Sequence, residues 1–275
     1  MRTIEYSYVD CRSALSKSRL PGLDYSLNPY VGCEHGCIYC YGRSFLRDKS
    51  LVSSWGSFSR AKKNVVDVLR RELRKKRRGI VGVSTITDPY QPFEARTELT
   101  RKCLETLSEN GFHISIQTKS SLILRDIDII RPGGFDVGVT ITTMNSELAK
   151  KIEPKASAPD ARSKVIEEFS SRDVETWIFL GPIIPGINDD LDSIKEVMEI
   201  AKRNRSRLLY DKLNLRPYVL DSVRKFLEKE KPEISEELPK LLDTKSKYVK
   251  EIKIKVESTC RRLGVACEPA FPMSS

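Results

Sequence analysis

The chain is predicted to be an α/β protein: a partial (β/α)6 TIM-like barrel with an N-terminal extension and C-terminal helices. Three observations predict it. Apolar, β-branched-rich runs recur along the middle of the chain, stretches with helical spacing separate them, and each run is nearly continuous in its apolar character. Strands alternating with helices join into a parallel sheet through right-handed crossovers. Near-continuous apolar strands suit a sheet covered on both faces or rolled into a barrel. A chain of 275 residues is long enough to bury one such core as a single domain.

The first strand is expected at residues 26–31, just before a cysteine-rich loop. Five more follow at 79–87 (GIVGVSTIT), 112–118 (FHISIQT), 135–143 (FDVGVTITT), 174–184 (VETWIFLGPII) and 207–215 (RLLYDKLNL). Helical spacing marks 97–110, 159–171 and 189–204, with a shorter stretch at 122–130. Beyond the last strand, 219–231 and 238–263 read as helices punctuated by Pro232 and Pro239, packed to close the side or base of the barrel. The expected organisation is therefore an extension at 1–22, a core at 23–220 and a helical segment at 221–275.

Charge is unevenly placed. Lys and Arg number 48 against 38 Asp and Glu, a formal net charge of +10. Residues 60–78, RAKKNVVDVLRRELRKKRR, hold ten Lys and Arg against Asp67 and Glu72. Val65, Leu69 and Leu73 recur at i, i+4 and i+8, which predicts an amphipathic helix with a basic outer face. Clustered cations bind phosphates through counterion release, so this face is a candidate nucleic-acid contact; a merely solvated face is the alternative. The first twenty residues lack a signal-like apolar stretch, and no run is long enough to cross a bilayer. A cytoplasmic location without a membrane partner is expected. Cysteines there read as metal ligands or buried thiols rather than disulfides, which includes Cys11, Cys103, Cys260 and Cys267.

The chemistry concentrates at NPYVGCEHGCIYCYGR, where Cys33, Cys37 and Cys40 are spaced C-x3-C-x2-C. A closed structural zinc site takes four ligands, whereas a centre that binds something else keeps a position open. Three thiolates can hold three irons of a [4Fe–4S] cluster and leave the fourth free. Gly32 and Gly36 give the backbone freedom to wrap the cluster. The alternative is zinc with His35 as fourth ligand, in a zinc-stabilised nucleic-acid-binding module.

The triad resembles the signature of the radical S-adenosylmethionine (SAM) enzymes. Together with STITDPYQPFE, QTKS, IEPKASAPDAR, GPIIPGIND and LNLRPY, it is similar to the spore photoproduct lyase-like, DNA repair photolyase-related branch of that superfamily. The resemblance spans about residues 23–220. It implies a cluster whose open iron binds SAM, reductive SAM cleavage to a 5′-deoxyadenosyl radical, hydrogen abstraction from a substrate, and a reducing partner such as ferredoxin or flavodoxin. It implies Cys33, Cys37 and Cys40 as metal ligands, and Tyr39 and Tyr41 near the radical path. Lys119 would meet the SAM carboxylate, Thr140 would lie near SAM, and Gly181, Ile183 and Gly186 would pass the adenine. Asp88, Gln91 and Glu94, in the loop after the second strand, are candidates for the SAM ammonium or the substrate, or for capping the next helix. Arg162, near a helix start where the dipole disfavours a cation, suggests an anion contact. Thr85 stands where spore photoproduct lyase has its hydrogen-donating cysteine, so thymine-dimer cleavage by that route is not expected. The basic segment favours a nucleic-acid substrate; a protein or a small metabolite is the alternative.

Overall fold

The apolar runs of the sequence become the buried strands of one large sheet. In the computed structural model, which describes residues 3–271, the strands are β1 (Glu5–Val9), β2 (Leu15–Lys17), β3 (Tyr25–Leu27), β4 (Tyr30–Val31), β5 (Phe58–Lys62), β6 (Ile80–Val83), β7 (His113–Thr118), β8 (Phe135–Thr140), β9 (Glu175–Ile183), β10 (Arg207–Lys212) and β11 (Cys267–Pro269). The helices are α1 (Val65–Leu73), α2 (Glu94–Thr97), α3 (Leu99–Glu109), α4 (Ser146–Ile152), α5 (Pro159–Ser170), α6 (Leu191–Arg203), α7 (Val219–Glu230), α8 (Pro232–Ser235), α9 (Leu238–Leu241) and α10 (Lys247–Leu263). Residues 1–2 and 272–275, the ends of the expected extension and C-terminal segment, lie outside the described residues.

The large sheet runs β11-β10-β9-β8-β7-β6-β3-β2, parallel from β3 through β11, with β2 antiparallel at one edge. It is an open, partial barrel with edges at β2 and β11. β8 is buried at every position, while β7 alternates buried and half-buried residues, one face against helices and one toward the barrel interior. α5 covers β8 and β9, α6 covers β9 and β10, and α10 packs on α6. The main core fills this sheet–helix layer; a second apolar cluster joins Cys37, Tyr39, Ile184 and Leu213 to Val219, Val223 and Leu227 of α7 and Leu238 of α9.

Four expectations are corrected. Residues 26–31 are not one strand: β3 pairs with β6 and β4 with β5, because Pro29 between them has no N–H for a ladder. The basic segment 60–78 is not one helix. Its first residues form β5, which pairs with β1 and β4 in a separate three-stranded sheet, and the helix α1 stops at Leu73. The apolar stripe within α1 is as expected, with Val65, Leu69 and Leu73 buried. The stretch 122–130 is a single 3-10 segment, Ser121–Asp126, capped by Ser120. Finally, Cys260 and Cys267 are not free thiols: they form a disulfide with Cα atoms 6.3 Å apart, tying α10 to β11. Cys103 is fully buried, as expected of a small core residue.

Candidate active site and metal centre

The cysteine loop follows β4 at the carboxyl ends of the parallel strands. Gly32 (φ +80°) and Gly36 (φ +63°) take left-handed conformations there, and a Cβ on Gly32 would meet the Phe58 ring at 2.4 Å. The loop is clamped from several sides. Gln91 Oε1 accepts from the Glu34 N–H at 3.1 Å, Arg43 donates to the Cys37 carbonyl at 2.8 Å, and the Ile38 N–H donates to the Ile152 carbonyl at 3.0 Å. Cys33, Cys37 and Cys40 all line one cavity of about 510 Å³ at the mouth of the sheet.

Burial pushes all three thiols up. Cys33 rises well above the ordinary range, helped by Asp88 and the other two cysteines, and Cys37 is pushed up to about 12 against the pull of Lys119. Cys40 rises less because Lys119 and the Gly42 N–H oppose the burial. Such thiols stay protonated until a metal displaces the proton, which soft thiophilic iron does. Among the described residues no three His, Cys, Asp or Glu side chains converge as ligands of a single ion. Thiolates bound to different irons of a cluster do not have to converge in that way, so the donor set fits an iron–sulfur group.

Asp88 ties this loop to the sheet. Its carboxylate accepts from Thr118 Oγ1 at 2.7 Å, the Lys119 N–H at 2.8 Å and the Tyr90 N–H at 2.9 Å, and lies 3.4 Å from His35 Nδ1. Burial opposes its charge, but His35, Lys119 and Thr118 outweigh it and hold the carboxyl well below the usual range. Its oxygens are therefore committed within the protein. The Lys119 ammonium, by contrast, has no hydrogen bond or ion pair among the described residues. It lies 5.9 Å from the Tyr39 ring centroid and faces the cavity. Burial opposes its charge too, yet Cys37, Glu153, Asp88 and Cys40 hold it above the ordinary lysine range.

The structure brings Cys33, Cys37, Cys40, Tyr39, Tyr41, Asp88, Lys119 and Gly181 to the cavity wall, together with Thr85. Tyr39 donates its hydroxyl to Glu153, so its ring rather than its phenol faces inward; Tyr41 donates to the Thr85 carbonyl. Six residues singled out from the sequence lie off the cavity lining, among them Gln91, which clamps the cysteine loop and donates its Nε2 to the Gly32 carbonyl at 3.3 Å. Thr140 stands behind Gln117, accepting from its Nε2 at 3.1 Å. Glu94 is fully buried, accepting from Tyr30, from the Thr100 N–H at 2.9 Å and from Arg125 at 2.8 Å. Arg162 is also buried and meets an anion, but that anion is Glu153 of its own chain. Ile183 is a core residue, and Gly186 (φ +71°) makes a turn against Ile234, whose Cδ1 would lie 2.1 Å from an added Cβ.

Sequence reasoning passed over Glu153, Asp211 and Lys212. Asp211 and Lys212 line the cavity at the end of β10. Their signal was two adjacent charged residues closing an otherwise apolar run.

With this geometry in hand, the comparisons define the class. The family model of the radical SAM superfamily matches residues 27–210, and the chain belongs to that superfamily, whose members are enzymes that use SAM and an iron–sulfur cluster. The chain is 29% identical over 231 residues to an uncharacterized protein of Methanocaldococcus jannaschii, covering 84% of this chain and 85% of that one. An uncharacterized protein of Mycobacterium tuberculosis is 30% identical over 227 residues, or 78% of this chain and 66% of the other. Among solved structures, a spore photoproduct lyase variant with bound AdoMet and dinucleoside spore photoproduct superposes with a TM-score of 0.70 at 12% identity, over 96% of this chain and 81% of that one. A radical SAM methyltransferase from Sphaerobacter thermophilus gives 0.56 at 15% identity, over 89% and 65%. These likenesses establish the fold.

Proposed function

We propose that the protein is a radical SAM enzyme in which Cys33, Cys37 and Cys40 hold a [4Fe–4S] cluster and the substrate is a nucleic acid. When bound, such a cluster supplies the electron that cleaves SAM to methionine and a 5′-deoxyadenosyl radical, which takes hydrogen from the substrate. The observation that carries this reading is the meeting of the buried Cys33 and Cys37 thiols, the half-buried Cys40 thiol and the unpaired Lys119 ammonium in one cavity at the carboxyl ends of parallel strands. Lys119 would receive the SAM carboxylate, a charge-assisted contact strengthened by burial. Tyr39 and Tyr41 would wall the radical path, and Gly181 would leave room for the adenine ring. Residues 23–220 would carry the chemistry, with 1–22 and 221–275 as packing segments, and a ferredoxin or flavodoxin would deliver the electron.

The nucleic-acid choice rests on the basic segment 60–78 and on the dinucleoside carried by the spore photoproduct lyase structure. None of the basic residues in 60–78 lines the cavity. They would grip the polymer backbone while the reacting unit enters the cavity.

Anaerobic reconstitution with iron and sulfide, followed by dithionite and SAM, should yield 5′-deoxyadenosine by mass spectrometry. Cys37→Ala should lose both the cluster absorbance and this product. Lys119→Ala should keep the cluster and bind SAM roughly tenfold or more weakly. Normal SAM binding by Lys119→Ala would remove Lys119 from the role given to it, and a wild-type protein that takes up no iron would remove the reading itself.

A further inference from the structure

The wall opposite in character to the cysteine loop is the end of β10. Pairing with β9 slips there, from Tyr210–Leu180 to Lys212–Ile183, the extra residue lying on β9 at Gly181–Pro182. At this irregularity the adjacent residues Asp211 and Lys212 both line the cavity, which the alternation of a regular strand would forbid. Both are nine-tenths or more buried, with Asp211 4% and Lys212 8% exposed. Asp211 is held by Asn214 Nδ2 at 2.6 Å. The Lys212 ammonium has no hydrogen bond and no ion pair among the described residues, and its charge is lowered in stability by burial.

A buried lysine without a partner is costly unless something arrives to pair with it. The cavity lining holds two ammoniums without a hydrogen bond or ion pair among the described residues, the half-buried Lys119 and the buried Lys212. They occupy different electrical surroundings: Lys119 is felt by Cys37 and Cys40, whereas the acids that act on Lys212 are Asp211 and Asp243. SAM brings one carboxylate, together with a cationic sulfonium and an ammonium, so it can neutralise one of the two lysines and not both. Arg216, also on the cavity lining, adds a third cation, seated 5.9 Å from the exposed Phe45 ring. The anionic residues of the lining are Asp88, whose oxygens are saturated, and Asp211.

We propose that Lys212 receives an anionic oxygen group of the substrate itself, a phosphate or a carboxylate, and so fixes which part of the substrate faces the radical. This rests on the radical SAM reading for the assignment of Lys119 to SAM, and it adds the chemical handle by which the substrate is held. A lysine acts there as a compact point charge, which suits a phosphate or carboxylate without demanding a forked geometry.

The test is calorimetric titration of the reconstituted, SAM-loaded protein with inorganic phosphate and, separately, with acetate, at constant ionic strength. Wild type should bind one of the two, and which one names the group. Lys212→Met should weaken that binding roughly tenfold or more while leaving SAM affinity within about twofold. Lys212→Arg should restore anion binding, which a merely structural lysine would not require, and Lys119→Met should show the opposite pattern, with weakened SAM and retained anion binding. The proposal is overturned if wild type binds neither anion, if Lys212→Met binds the anion as wild type does, or if Lys212→Met loses SAM instead. Repeating the titration without SAM separates the two readings: failure of wild type to bind SAM would strike the proposed function, while anion binding that depends on Lys212 would still stand.

Discussion

Glu153 accepts from the Tyr39 hydroxyl, from Thr142 Oγ1 at 2.7 Å and from Arg162, all with almost no exposure to water. Removing its charge strands the Arg162 guanidinium in the interior. Glu153→Gln should therefore lower unfolding stability by about 3–5 kcal/mol, and adding Arg162→Met should return part of it. Denaturant unfolding decides; a loss near zero would mean that water already reaches the pair. Asp211 is coupled to pH in the other direction. Burial, only partly offset by Asn214 and Lys212, raises its carboxyl to about 6. The folded state then binds this proton more tightly than the unfolded state does. Stability is unpenalised below the unfolded pKa, falls as pH climbs from about 4 to 6, and carries the full cost, up to about 3 kcal/mol, above that. Asp211→Asn should match wild type near pH 4 and exceed it increasingly toward pH 7; a gap that stays constant with pH would contradict the assignment. That Cys33, Cys37 and Cys40 gather at one cavity was legible because they lie within eight residues at a spacing that suggests a ligand set. Glu153 and Lys212 were not, since a charge inside an apolar motif shows its meaning only when the groups it faces are known.

The basic stretch shows how far periodicity reaches at the level of elements. The i, i+4, i+8 stripe located the buried face of α1, but charge does not mark where a helix begins, and Phe58–Lys62 is drawn into the small sheet by pairing with β1, 53 positions away in register. Five of the six expected strands, β6 to β10, were readable because burial on both faces demands continuous apolar residues, while the first, at 26–31, was not. β11 was not: three residues long, at a sheet edge, with Glu268 exposed, it needs no such pattern. Gly186 was expected beside the adenine, but the structure gives it a turn off the cavity, and its closeness to Ile234 supplies a reason for glycine that local sequence does not carry. For the basic element, Arg74, Lys75, Arg77 and Arg78 are exposed and beyond the end of α1, so replacing all four by Gln should leave the fold intact. If they touch phosphates, the slope of log binding constant against log salt should shrink by about 3 to 4 for duplex DNA. An unchanged slope in filter or anisotropy binding would show that the segment is solvated and holds no polymer.

Across the whole molecule, the cysteine loop stands between two apolar clusters that do not depend on it equally. The main core lies between the large sheet and α3, α5 and α6 and includes none of Cys33, Cys37 and Cys40. The second cluster has Cys37 and Tyr39 as members and reaches α7 and α9, and Ser44 at the end of the loop donates to the Pro217 carbonyl at 2.8 Å just before α7. A metal group bound by the loop adds its binding free energy to the folded state only, and it does so where the loop is packed. Removing iron with a chelator, or replacing Cys37 by Ala, should therefore loosen the molecule unevenly. Amide hydrogen exchange should quicken in α7 and α9 while β7, β8 and β9 keep their protection, because the burial that secures those strands is independent of the loop. Equal loss of protection in the sheet and the C-terminal helices would mean that the molecule opens as one unit and that the loop does not fasten the C-terminal helices to the barrel.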